Sequence, residues 1–104
     1  MMKIVEVNNN NFEKEVLNSK ETVLVDFNAD WCGPCRMLKP SLEELANEKD
    51  NVKIVSINID DEYELAEQYG VQSIPCLVLF KNGKEEKRNV GLISKDEIIN
   101  LIGE

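Results

Sequence analysis

The 104-residue chain contains no histidine. That absence excludes Ser-His and Cys-His hydrolytic catalysis, most zinc enzymes, and haem held by imidazole. Positive charge is also scarce: 12 Lys and Arg stand against 20 Asp and Glu, for a formal charge of −8. The chain therefore lacks the basic face that nucleic acid or an anionic lipid surface would need. No apolar run approaches the roughly 20 residues of a membrane span. There are no repeats, linkers or low-complexity tracts. Met1 to Val7 gives way at once to four asparagines, Asn8 to Asn11, so no apolar core of roughly 7–15 residues marks a secretory signal. The expected compartment is the reducing cytosol.

What is present fits one ordinary small domain, residues 1–104, with 42% hydrophobic and 31% charged residues. Folding at this length buries roughly two-thirds of the unfolded chain's surface, enough for one modest core. The reactive side chains left are carboxylates, lysines and three cysteines, Cys32, Cys35 and Cys76.

Hydrophobic periodicity sets the order of elements. Lys3 to Val7 is a short β-type run, and Asn9 or Asn10 is placed to cap a helix carrying Phe12, Val16 and Leu17. Thr22 to Phe27 reads as a strand apolar on both faces, as in a covered sheet, with Asp26 its one polar interior residue. From Pro34 to about Glu48 the spacing of Met37, Leu38, Leu42, Leu45 and Ala46 is helical. Pro40 should kink that helix, because it cannot donate to the carbonyl of Arg36. Val52 to Ile59 alternates like a strand. Asp60 or Asp61 can open a helix with Tyr63, Leu65, Ala66 and Tyr69, which Gly70 ends. Ile74-Pro75 breaks the pattern before the strand Cys76 to Phe80, and Asn82-Gly83 signals a hairpin to a strand ending near Gly91. Ser94 and Glu97 form a capping box for a last helix with Ile98, Ile99, Leu101 and Ile102. The order β-α-β-α-β-α-β-β-α predicts an α/β fold with a mixed sheet and helices on both faces.

Trp31-Cys32-Gly33-Pro34-Cys35 sits where the Asp26 strand hands over to the long helix. Cysteines three apart in a first helical turn share a face, within bonding distance of each other. Free N–H groups and the positive helix end there favour a thiolate on Cys32 and lower its pKa from about 8.5. Pro34 suits a first turn, Gly33 leaves the sulfur approachable, and Trp31 partly shields the pair. This spacing supports a reversible dithiol–disulfide couple. The alternatives are a metal site, for which three thiols without imidazole fall short of four ligands, and an inert pair.

Val25-Asp26-Phe27, Trp31 to Cys35, Asn58-Ile59-Asp60, Ser73-Ile74-Pro75 and Phe80 to Gly83 together resemble the thioredoxin family, in its order and spacing and across essentially the whole chain. The resemblance implies a thioredoxin fold and a protein dithiol–disulfide oxidoreductase with no bound cofactor beyond the Cys32–Cys35 disulfide, acting as a monomer. It implies Cys32 as nucleophile, Cys35 as resolving thiol, Gly33 and Pro34 as tuners of potential, and recycling by a thioredoxin reductase after disulfide-containing target proteins are reduced. It further implies a cis peptide before Pro75 and a docking surface at Trp31, Gly33, Pro34, Ile59, Ile74, Pro75 and Gly91 for an extended substrate strand. An oxidase or isomerase of the same fold, or a binding subunit that merely retains it, are the competing functions.

Asp26, a carboxylate within an apolar strand, should have a raised pKa. Its position favours a proton acceptor and donor for Cys35; an edge-strand or capping role is the plainer reading. Three departures from the family pattern bear on this region. Ser56 stands where a lysine commonly faces the buried Asp, which should make Asp26 still harder to ionise unless Ser56 or water bonds it. Asn28 stands at a frequent aromatic position, and Arg36 replaces a common lysine. A fourth departure is Cys76, where threonine usually follows the cis proline. It is either a small buried substitute or a candidate regulatory thiol able to form a side disulfide.

Overall fold

The computed structural model describes residues 4–103. Val23, Leu24, Val25 and Phe27 are fully buried on both sides of the strand Thr22–Asn28 (β2), so this strand must have neighbours and cover on every side. It pairs in parallel with Val52–Asn58 (β3), which in turn pairs in parallel with the short strand Val5–Glu6 (β1). On its other edge β2 pairs antiparallel with Cys76–Lys81 (β4), and β4 with Lys84–Val90 (β5). The resulting five-stranded mixed sheet has the order β1-β3-β2-β4-β5, with β2 at its centre. Lys3, at the start of the expected first strand, lies outside the described residues.

Helices cover both faces. Leu38, Leu42, Leu45 and Ala46 of Gly33–Glu48 (α1) and Ile98 and Ile102 of Lys95–Ile102 (α3) pack on Leu24, Ile54, Leu77 and Leu79. Lys95 clasps the two helices together through Glu44 and Glu48 of α1, at 3.1 and 2.8 Å. On the opposite face Leu65 and Ala66 of Tyr63–Gln68 (α2), with Phe12 and Val16, pack on Val25, Phe27, Val55, Ile57 and Phe80. The helix α1 runs unbroken through Pro40, which sits on its exposed side.

Turn chemistry matches the sequence at two places. Asn82 and Gly83 both take positive φ, 53° and 78°, as a two-residue hairpin requires. Ser94 Oγ accepts from the Glu97 N–H and Glu97 Oε1 accepts from the Ser94 N–H, completing the capping box of α3.

Two expected caps take other forms. The first helical segment is a single π-helical turn, Glu13–Leu17, closed by the Asn18 N–H on the Glu13 carbonyl, and Phe12 at its start provides no side-chain cap. Neither Asn9 nor Asn10 caps it, because the preceding turn is held instead by Asn8 Oδ1, which accepts from the N–H groups of Asn10 and Asn11. At α2 neither Asp60 nor Asp61 is the cap: Glu62 occupies that position, without a side-chain cap bond. The Asp60 N–H goes to Asn58 Oδ1, forming a local turn, and its carboxylate is engaged elsewhere.

Candidate active site

The dithiol owes its position to the junction between β2 and α1. Cys32 is the N-cap of α1, with extended backbone (φ −88°, ψ 109°), so its side chain lies over the open first turn. Its sulfur accepts from the Cys35 N–H at 3.2 Å. Pro34 fills a first-turn position where an N–H would lack a helical partner. Cys32 and Cys35 are joined as a disulfide, with their Cα atoms 5.2 Å apart. When that bond opens, negative charge on Cys32 Sγ faces an N–H donor and the positive end of a 16-residue helix.

Ala29, Cys32 and Cys35 form a small buried cluster, and Ile59 and Ile74 pack against it from the loops after β3 and before β4. Ile59 is fixed there by its N–H on the Asn28 carbonyl at 2.8 Å. The Ile74–Pro75 peptide is cis. The Pro75 carbonyl accepts from the Gly91 N–H at 2.8 Å, tying the end of β5 to the same rim. Gly91 has φ 105°, and a Cβ there would meet nothing within 4 Å, so the surface above it is open to an approaching backbone. Trp31 is 66% exposed, and its indole N–H donates to Asp60 Oδ2 at 2.9 Å, spanning the loops after β2 and β3.

Asp26 lies at the centre of β2 and is 6% exposed. Burial pushes its carboxyl from an ordinary 3.8 up to about 7. A hydrogen bond from Asn28 opposes that rise, Glu6 adds to it, and Lys39 of α1 opposes it again. The Asn28 amide nitrogen lies 3.2 Å from Asp26 Oδ2, 2.9 Å from the Asp26 carbonyl and 2.8 Å from Ser56 Oγ. Ser56 thus reaches Asp26 only through Asn28. The other carboxylate oxygen, Oδ1, has no protein partner among the described residues. A cleft of about 740 Å³ runs along this side, lined among others by Asp26, Asn28, Cys35, Lys39 and Ser56. Asp26 and Cys35 therefore line one cleft.

Cys76 belongs to a different environment. It is in register with Phe27, whose side chain points away from the Asp26 face, and it packs with Val25, Phe27, Val78 and Phe80 at 1% exposure. Burial pushes its thiol up, an effect that Arg88 partly offsets. The structure brings Cys32, Cys35, Ile59 and Ile74 together, joins Pro75 and Gly91 to their rim, and places Asp26 behind Cys35. It places Cys76 in the core on the face opposite Asp26, in a cluster that Ile59 and Ile74 also pack against. Asp60, Lys39 and Glu6 are participants that sequence reasoning missed, because each acts from a separate element. Asn28, a departure from the family pattern, lies two residues after Asp26 on β2, so the two side chains share one face.

Among the described residues no three His, Cys, Asp or Glu gather to hold a metal ion, and no helix is long and apolar enough to cross a membrane. A family model described as Thioredoxin matches residues 3–104. The chain is 58% identical over 82 residues to a thioredoxin of Chlamydia caviae, covering 79% of this chain and 80% of that protein. It is 44% identical over 105 residues to a thioredoxin of Haemophilus influenzae, covering 100% and 98% of the two, and 44% identical over 97 residues to one of Rickettsia felis, covering 92% of each.

Proposed function

The chain belongs to the thioredoxin family, and on that premise we propose how its residues divide the reaction. It is a thiol–disulfide oxidoreductase whose redox-active group is the Cys32–Cys35 pair. In the reduced protein the Cys32 thiolate attacks one sulfur of a target disulfide. The target's second sulfur leaves as a thiolate and takes a proton, and a Cys32–target mixed disulfide remains. Asp26 then accepts the Cys35 proton through the shared cleft. The Cys35 thiolate attacks Cys32 Sγ, expelling the target sulfur first attacked, which takes a proton in turn, so two electrons have passed to the target and Cys32–Cys35 is oxidised. Gly33 and Pro34 set the geometry and potential of the pair. Trp31, Ile59, Ile74, Pro75 and Gly91 form the rim on which an extended target strand docks, and the absence of a side chain at Gly91 lets that strand come close.

The observation that carries this reading is the bonded cysteine pair at the N-terminus of α1, with Cys35 N–H donating to Cys32 Sγ. We place the reaction in the cytoplasm, carried out by a single-domain monomer. Target proteins with accessible disulfides are its substrates and a thioredoxin reductase restores the dithiol. A reductase role calls for a potential near about −270 mV, far below the roughly −120 mV of a strong oxidant.

Reduction of a disulfide-containing protein by pre-reduced variants tests the division of labour. Cys32→Ser should abolish reduction, while Cys35→Ser should still attack once and accumulate as a mixed disulfide visible by intact-mass spectrometry. Accumulation with Cys32→Ser instead would reverse the assignment.

A further inference from the structure

We infer that Asn28 is the positioning residue for the Asp26 carboxylate, dividing its two amide hydrogens between Asp26 and Ser56. The inference rests on the reading of Asp26 as proton acceptor for Cys35 and names the group that governs when it can act.

The argument begins with counting. An Asn amide nitrogen carries two hydrogens. Here it has three oxygens within reach: the Asp26 carbonyl at 2.9 Å, Asp26 Oδ2 at 3.2 Å and Ser56 Oγ at 2.8 Å. Not all three can hold an undivided bond, and the longest is the one to the carboxylate. The three oxygens therefore share two hydrogens, and Ser56 Oγ, the nearest of them, draws on what Asp26 Oδ2 receives. Since Oδ1 has no protein partner among the described residues, Asn28 is the side-chain donor to this buried acid.

The surroundings leave the amide a deciding voice. From β1, Glu6 disfavours the anion; from α1, Lys39 favours it without a hydrogen bond, while Cys35 and Arg36 line the same cleft together with Glu43. From β3 comes the neutral Ser56, and from β4 the apolar Leu77, in register with Asp26. A neutral amide two residues along the same strand thus supplies what a strand-borne cation would otherwise supply. A hydrogen bond to the charged form favours that form, and strengthening or weakening it moves the balance.

The test is a pH titration of the Asp26 carboxyl carbon by NMR in the oxidised protein, where Cys32 and Cys35 do not titrate. Asn28→Ala should move the Asp26 midpoint upward by about one pH unit, a tenfold change in the equilibrium. Ser56→Ala should move it downward, because the freed hydrogen is left to Asp26. Opposite displacements are a signature that loosened packing would not produce. An unmoved midpoint in Asn28→Ala, or an unmoved or rising one in Ser56→Ala, overturns the inference. If Asn28→Ala does not fold, Ser56→Ala alone decides. The pH profile of mixed-disulfide resolution in the same proteins separates the two readings. A profile that follows the midpoint supports both; one that stays fixed while the midpoint moves removes Asp26 as acceptor and leaves Asn28 as its positioning residue.

Discussion

On the side of the sheet covered by α2 and the π-helical turn, β2 presents Val23, Val25 and Phe27, and β3 presents Val55 and Ile57, all fully buried. On the side covered by α1 and α3, the same strands present Leu24, Asp26 and Asn28, and Ile54, Ser56 and Asn58. One face stays apolar to its end. The other begins apolar, under Leu38, Leu42 and Leu45, and turns polar as the strands approach the dithiol. Because side chains alternate along a strand, a single pair of strands can hold a dry core and a proton-handling cleft back to back. The polar half costs stability. Holding Asp26 at about 7 instead of 3.8 corresponds to about 4 kcal/mol against the folded state once the carboxyl ionises.

Emptying the apolar face should have the largest effect. Phe27→Ala, under full burial against Val25, Val55 and Ile57, should lose about 3–5 kcal/mol in denaturant unfolding. A loss below 1 kcal/mol would show that this face is not the anchor.

The polar face should respond with the opposite sign. The Asp26 proton is held more tightly in the folded than in the unfolded chain. Stability contributed by that group is therefore full below about pH 4 and falls as pH rises to about 7. Asp26→Asn should match the parent protein at pH 3 and exceed it by up to about 4 kcal/mol at pH 8. The same substitution should slow resolution of a mixed disulfide about 100-fold at neutral pH in stopped-flow measurements, with the first attack little altered. The smallest effect is expected at Cys76. Cys76→Val should change stability by about 1 kcal/mol or less and leave the rate of peroxide inactivation where it was.

The apolar alternation of β2 and β3, the Asn82-Gly83 turn and the Ser94–Glu97 capping box were legible because each is a local pattern with a local cause. The Cys32–Cys35 pair was legible for the same reason, being defined by spacing at a strand-to-helix junction. The expected caps differ where several equivalent residues sit together: Asn8 holds a local turn through the N–H groups of Asn10 and Asn11, and Asp60 is drawn to Trp31 by a tertiary contact. The ionisation of Asp26 could not be read from one strand, since Glu6, Lys39 and Asn28 reach it from three places. The missing lysine at Ser56 and the departure at Asn28 are both visible in the sequence, but the bonds that join Asn28 to Asp26 and Ser56 are not.

The strand order also sets when this chain becomes a working protein. The central strand β2 is finished only when β3 and β4 have both arrived from later sequence, and the Pro75 carbonyl at the rim is tied by the Gly91 N–H. During synthesis Cys32 and Cys35 leave the ribosome long before their walls do, as bare thiols at the end of an unpartnered strand. Any chain ending before Gly91 would carry the cysteine motif intact without the tie that fixes Pro75 beside it, so the motif is complete well before the site is.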